Sequence, residues 1–167
     1  MTISETLLPE FDNEMTNTRK ILDCVPEEKF TWKPHEKSMT LGRLASHIAE
    51  MPYWATATIT QDKLELTPEM KPFNAATKAE LMSQFESNIA TAREAIASAT
   101  DEQLGKIWSL IYGGQTVLSM PRAAVLRNMV MSHVIHHRGQ FSVYLRLNDV
   151  AIPGMYGPSA DAAAFAG

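Results

Sequence analysis

The chain has 167 residues, a formal net charge of −4, one cysteine and five histidines. A single cysteine excludes an internal disulfide and a zinc module built from several cysteines. The acidic balance argues against a nucleic acid partner. The N-terminal segment lacks the features of a signal peptide, and the longest uncharged stretch, Ile107 to Pro121, is too short to span a membrane. We therefore predict one cytoplasmic domain over residues 1–167, with no membrane partner.

Apolar residues recur at steps of three and four in four long segments, which predicts four helices. They cover residues 4–24, 40–60, 78–99 and 122–148. A capping box formed by Thr77 and Glu80 begins the third helix, and Pro121 suits the start of the fourth. Between these two helices, Gly113 and Gly114 predict a short β-hairpin near residues 107–118, or else a structured loop. The fold class is predicted to be all-α, a four-helix bundle with this insertion.

A pair of histidines stands out in the fourth predicted helix. His133 and His137 are four residues apart, so they lie only about 40° apart around the helix axis. Counted from Leu126, both fall in the middle of the inward stripe, whereas His136 falls at its flank. Buried imidazoles need partners, because an unsatisfied polar group in a core is costly. A divalent cation is one such partner, and hydrogen bonds within the core are the alternative.

His47 supplies a third histidine, from the second predicted helix, in phase with Met51 and Trp54. Taken alone, His47 is better interpreted as a histidine that is satisfied by hydrogen bonds than as a metal ligand. Together with an i,i+4 pair from another helix, it completes a workable set of three ligands. Three histidines leave coordination positions open, which is typical of catalytic rather than structural metal sites.

Several neighbours of the histidines are weaker candidates for a role in the site. Gln140 shares the inward stripe and could bond a water on the metal or a histidine nitrogen. Glu50 lies one turn after His47 and is a candidate general base. The candidates for binding a cofactor or a substrate are Trp54, Tyr144 and Arg138. Ordinary core packing, interhelical bonding or exposure is the alternative for each of them.

The remaining residues of this kind have simpler interpretations. We expect an interhelical hydrogen bond for His136, although a role in orienting a ligand is open, and a surface loop for His35. Cys24 is interpreted as a small buried hydrophobic residue, with a fourth ligand or a nucleophile as the alternatives.

Two segments resemble motifs of the DinB family of metalloenzymes. Residues 39–50, MTLGRLASHIAE, resemble the motif of its second helix, and residues 133–140, HVIHHRGQ, resemble the motif of its fourth helix. Residues 120–126 and 155–161 resemble the approach to the last helix and the C-terminal signature. The resemblance covers nearly the whole chain and keeps the order and spacing of the motifs.

The resemblance implies a four-helix bundle with one long crossover, commonly a homodimer, with a divalent metal on His47, His133 and His137. Imidazole suits both Zn²⁺ and Ni²⁺. The family is similar to bacterial thiol-dependent transferases, including bacillithiol S-transferases and mycothiol-dependent isomerases. This implies an enzyme that transfers a low-molecular-weight thiol to an electrophilic small-molecule substrate. The alternatives are a metal-dependent hydrolase and a non-catalytic bundle that binds a metal or a ligand in a stress response.

Overall fold

The computed structural model describes residues 1–162, so the last five residues of the predicted domain lie outside it. This part of the chain is mostly helical and includes one small sheet. Its α-helices are α1 (Ile3–Leu22), α2 (Leu41–Thr60), α3 (Lys78–Ser98), α4 (Asp101–Gly105), α5 (Arg122–Val125) and α6 (His133–Arg146). Its strands are β1 (Lys63–Leu66), β2 (Ile107–Tyr112) and β3 (Gln115–Pro121). Within residues 1–162, no helix is both long and apolar enough to cross a membrane.

Threonine side chains define where four of the helices begin. Thr2, Thr40, Thr77 and Thr100 each accept a hydrogen bond from a backbone N–H in the first turn of the helix that follows. The capping box predicted at α3 is only half formed, because the Glu80 carboxylate accepts from the N–H of Ala76 instead of that of Thr77. Such caps satisfy N–H groups that have no partner inside the helix.

The four long helices enclose one hydrophobic core. α2 packs against α3 and α6, and α1 packs against the same two helices. The largest fully buried side chains of this core include Phe11, Met15, Leu44, Ile48, Phe85 and Phe141. The interface between α2 and α6 is the part of the core that positions the histidines.

The all-α prediction is corrected by a three-stranded sheet in the order β1-β2-β3. The predicted hairpin is present as β2 and β3, which pair antiparallel across Gly113 and Gly114. Both glycines have positive φ, 54° and 78°, which glycine adopts without strain. β1, only four residues long, was not predicted because so short a segment carries little periodicity. It becomes a strand by pairing parallel to β2.

The fourth predicted helix is not a single α-helix. A π-helical segment, Leu126–Ser132, lies between α5 and α6 and ends directly before His133. Each residue of a π-helix turns the chain by less than the 100° of an α-helix, because its hydrogen bonds span five residues. The directions of the α6 side chains were predicted by counting 100° per residue from Leu126. The actual directions around the helix axis are therefore rotated from the predicted ones.

Candidate metal centre

Three histidines meet where α2 packs against α6. His47 lies in the second turn of α2, His133 is the first residue of α6, and His137 follows one turn later. The ring centroid of His47 is 5.3 Å from that of His133 and 4.7 Å from that of His137, and the latter two are 4.6 Å apart. One ligand nitrogen from each ring lies within 4.8 Å of the other two. The structure thus brings together the three residues predicted as ligands.

Two of the three rings have a hydrogen-bond acceptor at Nδ1, the nitrogen on the outer side of the cluster. Nδ1 of His137 lies 2.7 Å from Oε1 of Gln140, and Nδ1 of His47 lies 3.5 Å from Oε2 of Glu50. Because both partners accept, the proton of neutral His137 and of neutral His47 is held on Nδ1. The inner nitrogens of these two rings then carry lone pairs, the form in which imidazole binds a metal. A backbone hydrogen bond with Met129 opposes the lowering of the His133 pKa by burial.

The surroundings also keep the rings of His133 and His137 unprotonated. Burial and the neighbouring His137 lower the pKa of His133 from 6.5 to about 4. Burial, followed by the charge of His47, lowers the pKa of His137, against an opposing effect of the bond to Gln140. Both rings are therefore neutral near pH 7, so no proton has to leave before a cation binds.

The closest contact within the cluster tests whether a metal fits. Nε2 of His137 lies 2.8 Å from Nε2 of His133. With Nδ1 protonated on both rings, this contact brings two lone pairs together, and they repel each other. A cation shared by the two nitrogens would turn this repulsion into attraction, and His47 supplies a third donor of the same type. This donor set fits Zn²⁺ or Ni²⁺.

Glu50 connects His47 with the segment that follows the sheet strand β1. Its carboxylate faces His47 and also lies 3.4 Å from Nη2 of Arg43. The same carboxylate accepts a hydrogen bond from the backbone N–H of Phe73, and Arg43 donates to the Phe73 carbonyl at 3.1 Å. Glu50 was predicted as a candidate base or an exposed carboxylate. The exposed alternative is wrong, because Glu50 is half-buried and faces His47, where it can orient the ring. Its role as a base stays a prediction.

Two predictions about α6 need correction. Gln140 was expected on the inward stripe, and His136 was expected to bond another helix. Both residues are exposed. The π-helical segment before His133 accounts for this, because it rotates the side chains of α6 from their predicted directions. Gln140 nevertheless bonds His137, which is one of the roles predicted for it. The ring of His136 lies 4.9 Å from that of His137, at the exposed side of the cluster.

The two aromatic candidates lie in different places. Trp54 lines a cavity of about 560 Å³ that His47 also lines. Tyr144 contacts Trp32 edge to face, with 5.7 Å between the ring centroids, and both pack against the core. The structure thus places Trp54 beside the histidines, and it gives Tyr144 a packing contact.

Arg138 is the candidate whose surroundings differ most from a binding site. Its side chain is 1 % exposed, so it is closed to a ligand. Nη2 lies 2.6 Å from the Glu14 carboxylate, and Nη1 lies 3.0 Å from the Glu14 carbonyl and 3.1 Å from the Thr18 hydroxyl. Tyr156 bonds both Arg138 and Glu14. A carboxylate partner was one predicted option, and the structure supplies it from α1 in place of a substrate.

The remaining sequence candidates lie outside the cluster. His35 is exposed and its Nδ1 accepts from the backbone N–H of Lys37 at 3.1 Å. Cys24 is partly buried, and its thiol donates to the Lys20 carbonyl at 3.3 Å. Burial, followed by the charge of Asp23, raises the pKa of this thiol. A raised pKa makes Cys24 a poor nucleophile at neutral pH.

Sequence reasoning missed Arg43 and Phe73. Arg43 lies within the quoted second-helix motif, one turn before His47, so its spacing from Glu50 offered a weak signal. Phe73 contributes only backbone groups to Glu50, and no side-chain pattern reveals such a contact.

Comparison with known proteins identifies the family of the chain. The model of the DinB family matches residues 1–164. An uncharacterized protein YrdA of Bacillus subtilis (strain 168) is 27 % identical over 155 residues, which are 91 % of this chain and 87 % of the relative. A DinB-like crystal structure from Bacillus cereus ATCC 10987 has a TM-score of 0.71 and 25 % identity, covering 91 % of this chain and 97 % of that one. A second, yjoa from B. subtilis, has a TM-score of 0.66 and 19 % identity, covering 90 % and 97 %, and shows the fold alone. Because the family match covers nearly the whole sequence, the chain belongs to the DinB family.

Proposed function

We propose that His47, His133 and His137 hold a divalent cation, Zn²⁺ or Ni²⁺, in an enzyme that transfers a small-molecule thiol to an electrophile. The observation that carries the proposal is the pair of Nε2 atoms of His133 and His137, 2.8 Å apart, with the outer nitrogen of His137 held by Gln140 and His47 beside them as a third donor. A divalent cation on three imidazoles keeps open positions and lowers the pKa of a thiol or a water, which supplies a nucleophile at neutral pH.

The protein's own residues would position this chemistry. Gln140 and Glu50 hold the rings of His137 and His47 through their outer nitrogens, which sets the orientation of the inner ones. Trp54 forms part of an apolar wall beside His47, where an electrophilic substrate would be kept away from bulk water.

The source of the thiol is the main point that separates transfer from hydrolysis. Cys24 is the chain's only cysteine, and its pKa is raised by burial. A thiol reaction therefore needs a low-molecular-weight thiol as a second substrate, whereas the alternative, a hydrolase, needs only water. A fourth protein ligand would favour a non-catalytic metal-binding bundle, and the cluster found within residues 1–162 has three histidines.

Metal analysis and turnover together test the proposal. Purified protein would be assayed for bound metal, and then for conjugation of several low-molecular-weight thiols to 1-chloro-2,4-dinitrobenzene, with and without chelator. We expect bound metal and chelator-sensitive, thiol-dependent turnover, both lost in His133→Ala and retained in the matched control His35→Ala. Turnover that survives complete metal removal would refute the mechanism. Metal content that His133→Ala leaves unchanged would refute the site. Metal binding without turnover of any thiol or ester would leave the non-catalytic alternative.

The finer architecture and the assembly belong to the same proposal. We propose a four-helix bundle in which the long connection from α3 to α6, residues 99–132, is the crossover, in a single cytoplasmic domain that forms a homodimer. Membership of the DinB family supports this arrangement. Sedimentation equilibrium of the purified protein tests the dimer, and a monomer over the whole concentration range would contradict it.

A further inference from the structure

The cavity beside His47 has the size and position of a ligand site. It lies between α2, β1, α3 and the segment of residues 67–73, and it encloses about 560 Å³. Pockets for small molecules usually have volumes of about 300–1,000 Å³. This space, which we name the α2–β1 cavity, therefore suits a molecule of one or two rings.

Most of the wall of the α2–β1 cavity is apolar and aromatic. The side chains that form it include Tyr53, Trp54, Leu64, Leu66, Phe73 and Tyr112. Aromatic side chains from α2 and from the end of β2 thus contribute to one space. Flat rings pack well against such faces, offset or edge to face. The apolar part of the ligand is therefore expected to be aromatic.

The charges of the wall indicate the polar part of the ligand. Arg43 and Glu50 both line the cavity and neutralise each other, with 3.4 Å between Nη2 and the carboxylate. Lys71 also lines it, and no carboxylate of residues 1–162 lies within ion-pair distance of its amine. The lining is therefore cationic by one charge in a protein whose net charge is −4. An anion is the complementary partner.

The segment that carries Lys71 is attached to the histidine cluster. Phe73, two residues later, donates its backbone N–H to Glu50 and accepts from Arg43 through its carbonyl. Glu50 in turn faces Nδ1 of His47. These contacts hold the wall of the cavity against the residue that would carry the metal, so a ligand in the cavity lies beside His47.

We propose that the α2–β1 cavity binds a small aromatic molecule with one anionic group, its ring against Trp54 and Tyr53 and its anion at Lys71. The inference rests on the proposed function in one respect, because it identifies this molecule as the class of electrophile that reacts at the metal. Binding itself needs only the cavity, so it can be tested separately.

Two matched probes test the charge and the location together. 2-Naphthoate carries a carboxylate, and 2-naphthamide is a neutral molecule of nearly the same shape. Each would be titrated into protein whose tryptophan indoles are ¹⁵N-labelled and assigned by substitution. We expect the signal of Trp54 to shift in a saturable way while that of Trp32, which packs on Tyr144, stays in place. We also expect 2-naphthoate to bind about threefold more tightly, the size of effect that an exposed ion pair provides.

Paired variants separate the cavity from the rest of the surface. Lys71→Gln should remove the preference for 2-naphthoate and leave the affinity for 2-naphthamide unchanged. Lys63→Gln, an equal change of charge at an exposed residue of β1, should leave both affinities unchanged. Tyr53→Ser should weaken both probes, whereas Val143→Ser, at another exposed apolar position, on α6, should weaken neither. These residues are exposed, so loss of folding is not expected to confuse the result.

The outcomes are decisive in both directions. A shift of Trp54 with a preference that Lys71→Gln abolishes supports the proposal. An unmoved Trp54 signal, equal affinities for the two probes, or equal losses in Lys71→Gln and Lys63→Gln would overturn it. The titrations would be repeated on metal-free and on Zn²⁺-loaded protein. If the proposed metal site is wrong, the protein will lack bound metal but the Trp54 signal will still shift. If the proposed ligand site in the cavity is wrong, the Trp54 signal will stay in place even in Zn²⁺-loaded protein.

Discussion

His137 and Arg138 are neighbours in α6, yet they belong to two very different polar clusters. His137 meets His133 and His47, three bases of the same type whose inner nitrogens face one another. Arg138 meets Glu14, Thr18 and Tyr156, where a cation, a carboxylate and two hydroxyls give one another donors and acceptors. Arg138, Glu14 and Thr18 are buried and Tyr156 is exposed, whereas His137 is buried and the other two histidines are partly buried. Only the Arg138 cluster contains charges of both signs.

The difference teaches which buried polar cluster needs a ligand. The cluster around Arg138 is satisfied by its own members, so it joins α1, α6 and the C-terminal segment without any further group. In the histidine cluster Gln140 and Glu50 accept at the outer nitrogens of His137 and His47, so the inner nitrogens of these two rings carry lone pairs and the cluster lacks a positive charge at its centre. Four predictions would break or sharpen this comparison, from the largest expected effect to the smallest.

The first prediction concerns binding at the histidine cluster. His137→Gln should lower the affinity for Zn²⁺ by more than about 100-fold, beyond the 10–100-fold that loss of an outer partner causes. Competition with a chromophoric chelator measures this affinity. The free energy of unfolding of the metal-free protein should change far less than it does when the Arg138 cluster is broken. His35→Gln, at an exposed histidine, is the matched control, and equal affinities in the two variants would contradict the site.

The second prediction breaks the other cluster. Glu14→Gln leaves the Arg138 guanidinium buried without its anion, so the free energy of unfolding should fall by about 3–5 kcal/mol. Urea denaturation measures it. The control is Glu86→Gln, which breaks the ion pair between Glu86 (47 % exposed) and Arg19 (41 % exposed). It should lower the free energy of unfolding by about 0–1 kcal/mol. If Glu14→Gln lowered the free energy of unfolding no more than this control, the Arg138 cluster would not stabilise the fold as the structure indicates.

The third prediction tests the outer partners of the histidines. Glu50→Ala should lower the affinity for Zn²⁺ by about 10-fold, because His47 loses the carboxylate that orients its ring. Gln140→Ala should have a smaller effect of the same sign, since Gln140 is exposed. Glu65→Ala, at an exposed carboxylate of β1, serves as the control for lost charge. A Zn²⁺ affinity of wild-type strength in Glu50→Ala would show that Glu50 supports only the Phe73 segment.

The fourth prediction concerns alkaline pH and the Arg138 cluster. Burial, followed by the hydrogen bond to Glu14, raises the pKa of Tyr156. Above a pH of about 10 the unfolded chain therefore releases this proton while the folded protein keeps it, so stability falls as the pH rises. Tyr156→Phe should reduce that fall, seen as a shallower change of the urea midpoint with pH. Tyr112→Phe, at a half-exposed tyrosine, should behave as the wild type, and identical slopes for both variants would contradict the prediction.

Much of the site was predictable because histidine spacing on a helix is a local property. The i,i+4 separation of His133 and His137 places them on one face of any helix, and the motif around His47 identified the third residue. Glu50 and Gln140 were predicted as neighbours of the histidines but given the wrong exposure. The π-helical segment is one reason, because a wheel that assumes 100° per residue cannot represent it.

Contacts between distant segments were not predictable from one sequence. β1 is a strand because β2 lies beside it, and the hydrogen bonds of Phe73 to Glu50 and Arg43 use only backbone groups. The partner of Arg138 lies 124 positions away in the chain, on α1. Nothing in the residues around Arg138 distinguishes a buried Glu14 from a carboxylate on a substrate.

By itself, the sequence determined the main helical segments, the threonine cap at Thr77, the hairpin at its two glycines, and the three histidines on α2 and α6. These features depend on periodicity, on backbone preferences and on side chains a turn apart, all of which act over a few residues. Tertiary structure alone decided how the rings face one another, which carboxylate neutralises Arg138, and that an aromatic cavity lies beside His47. The physical reason is that hydrogen bonding, charge pairing and cavity shape depend on distances between segments, which only packing determines.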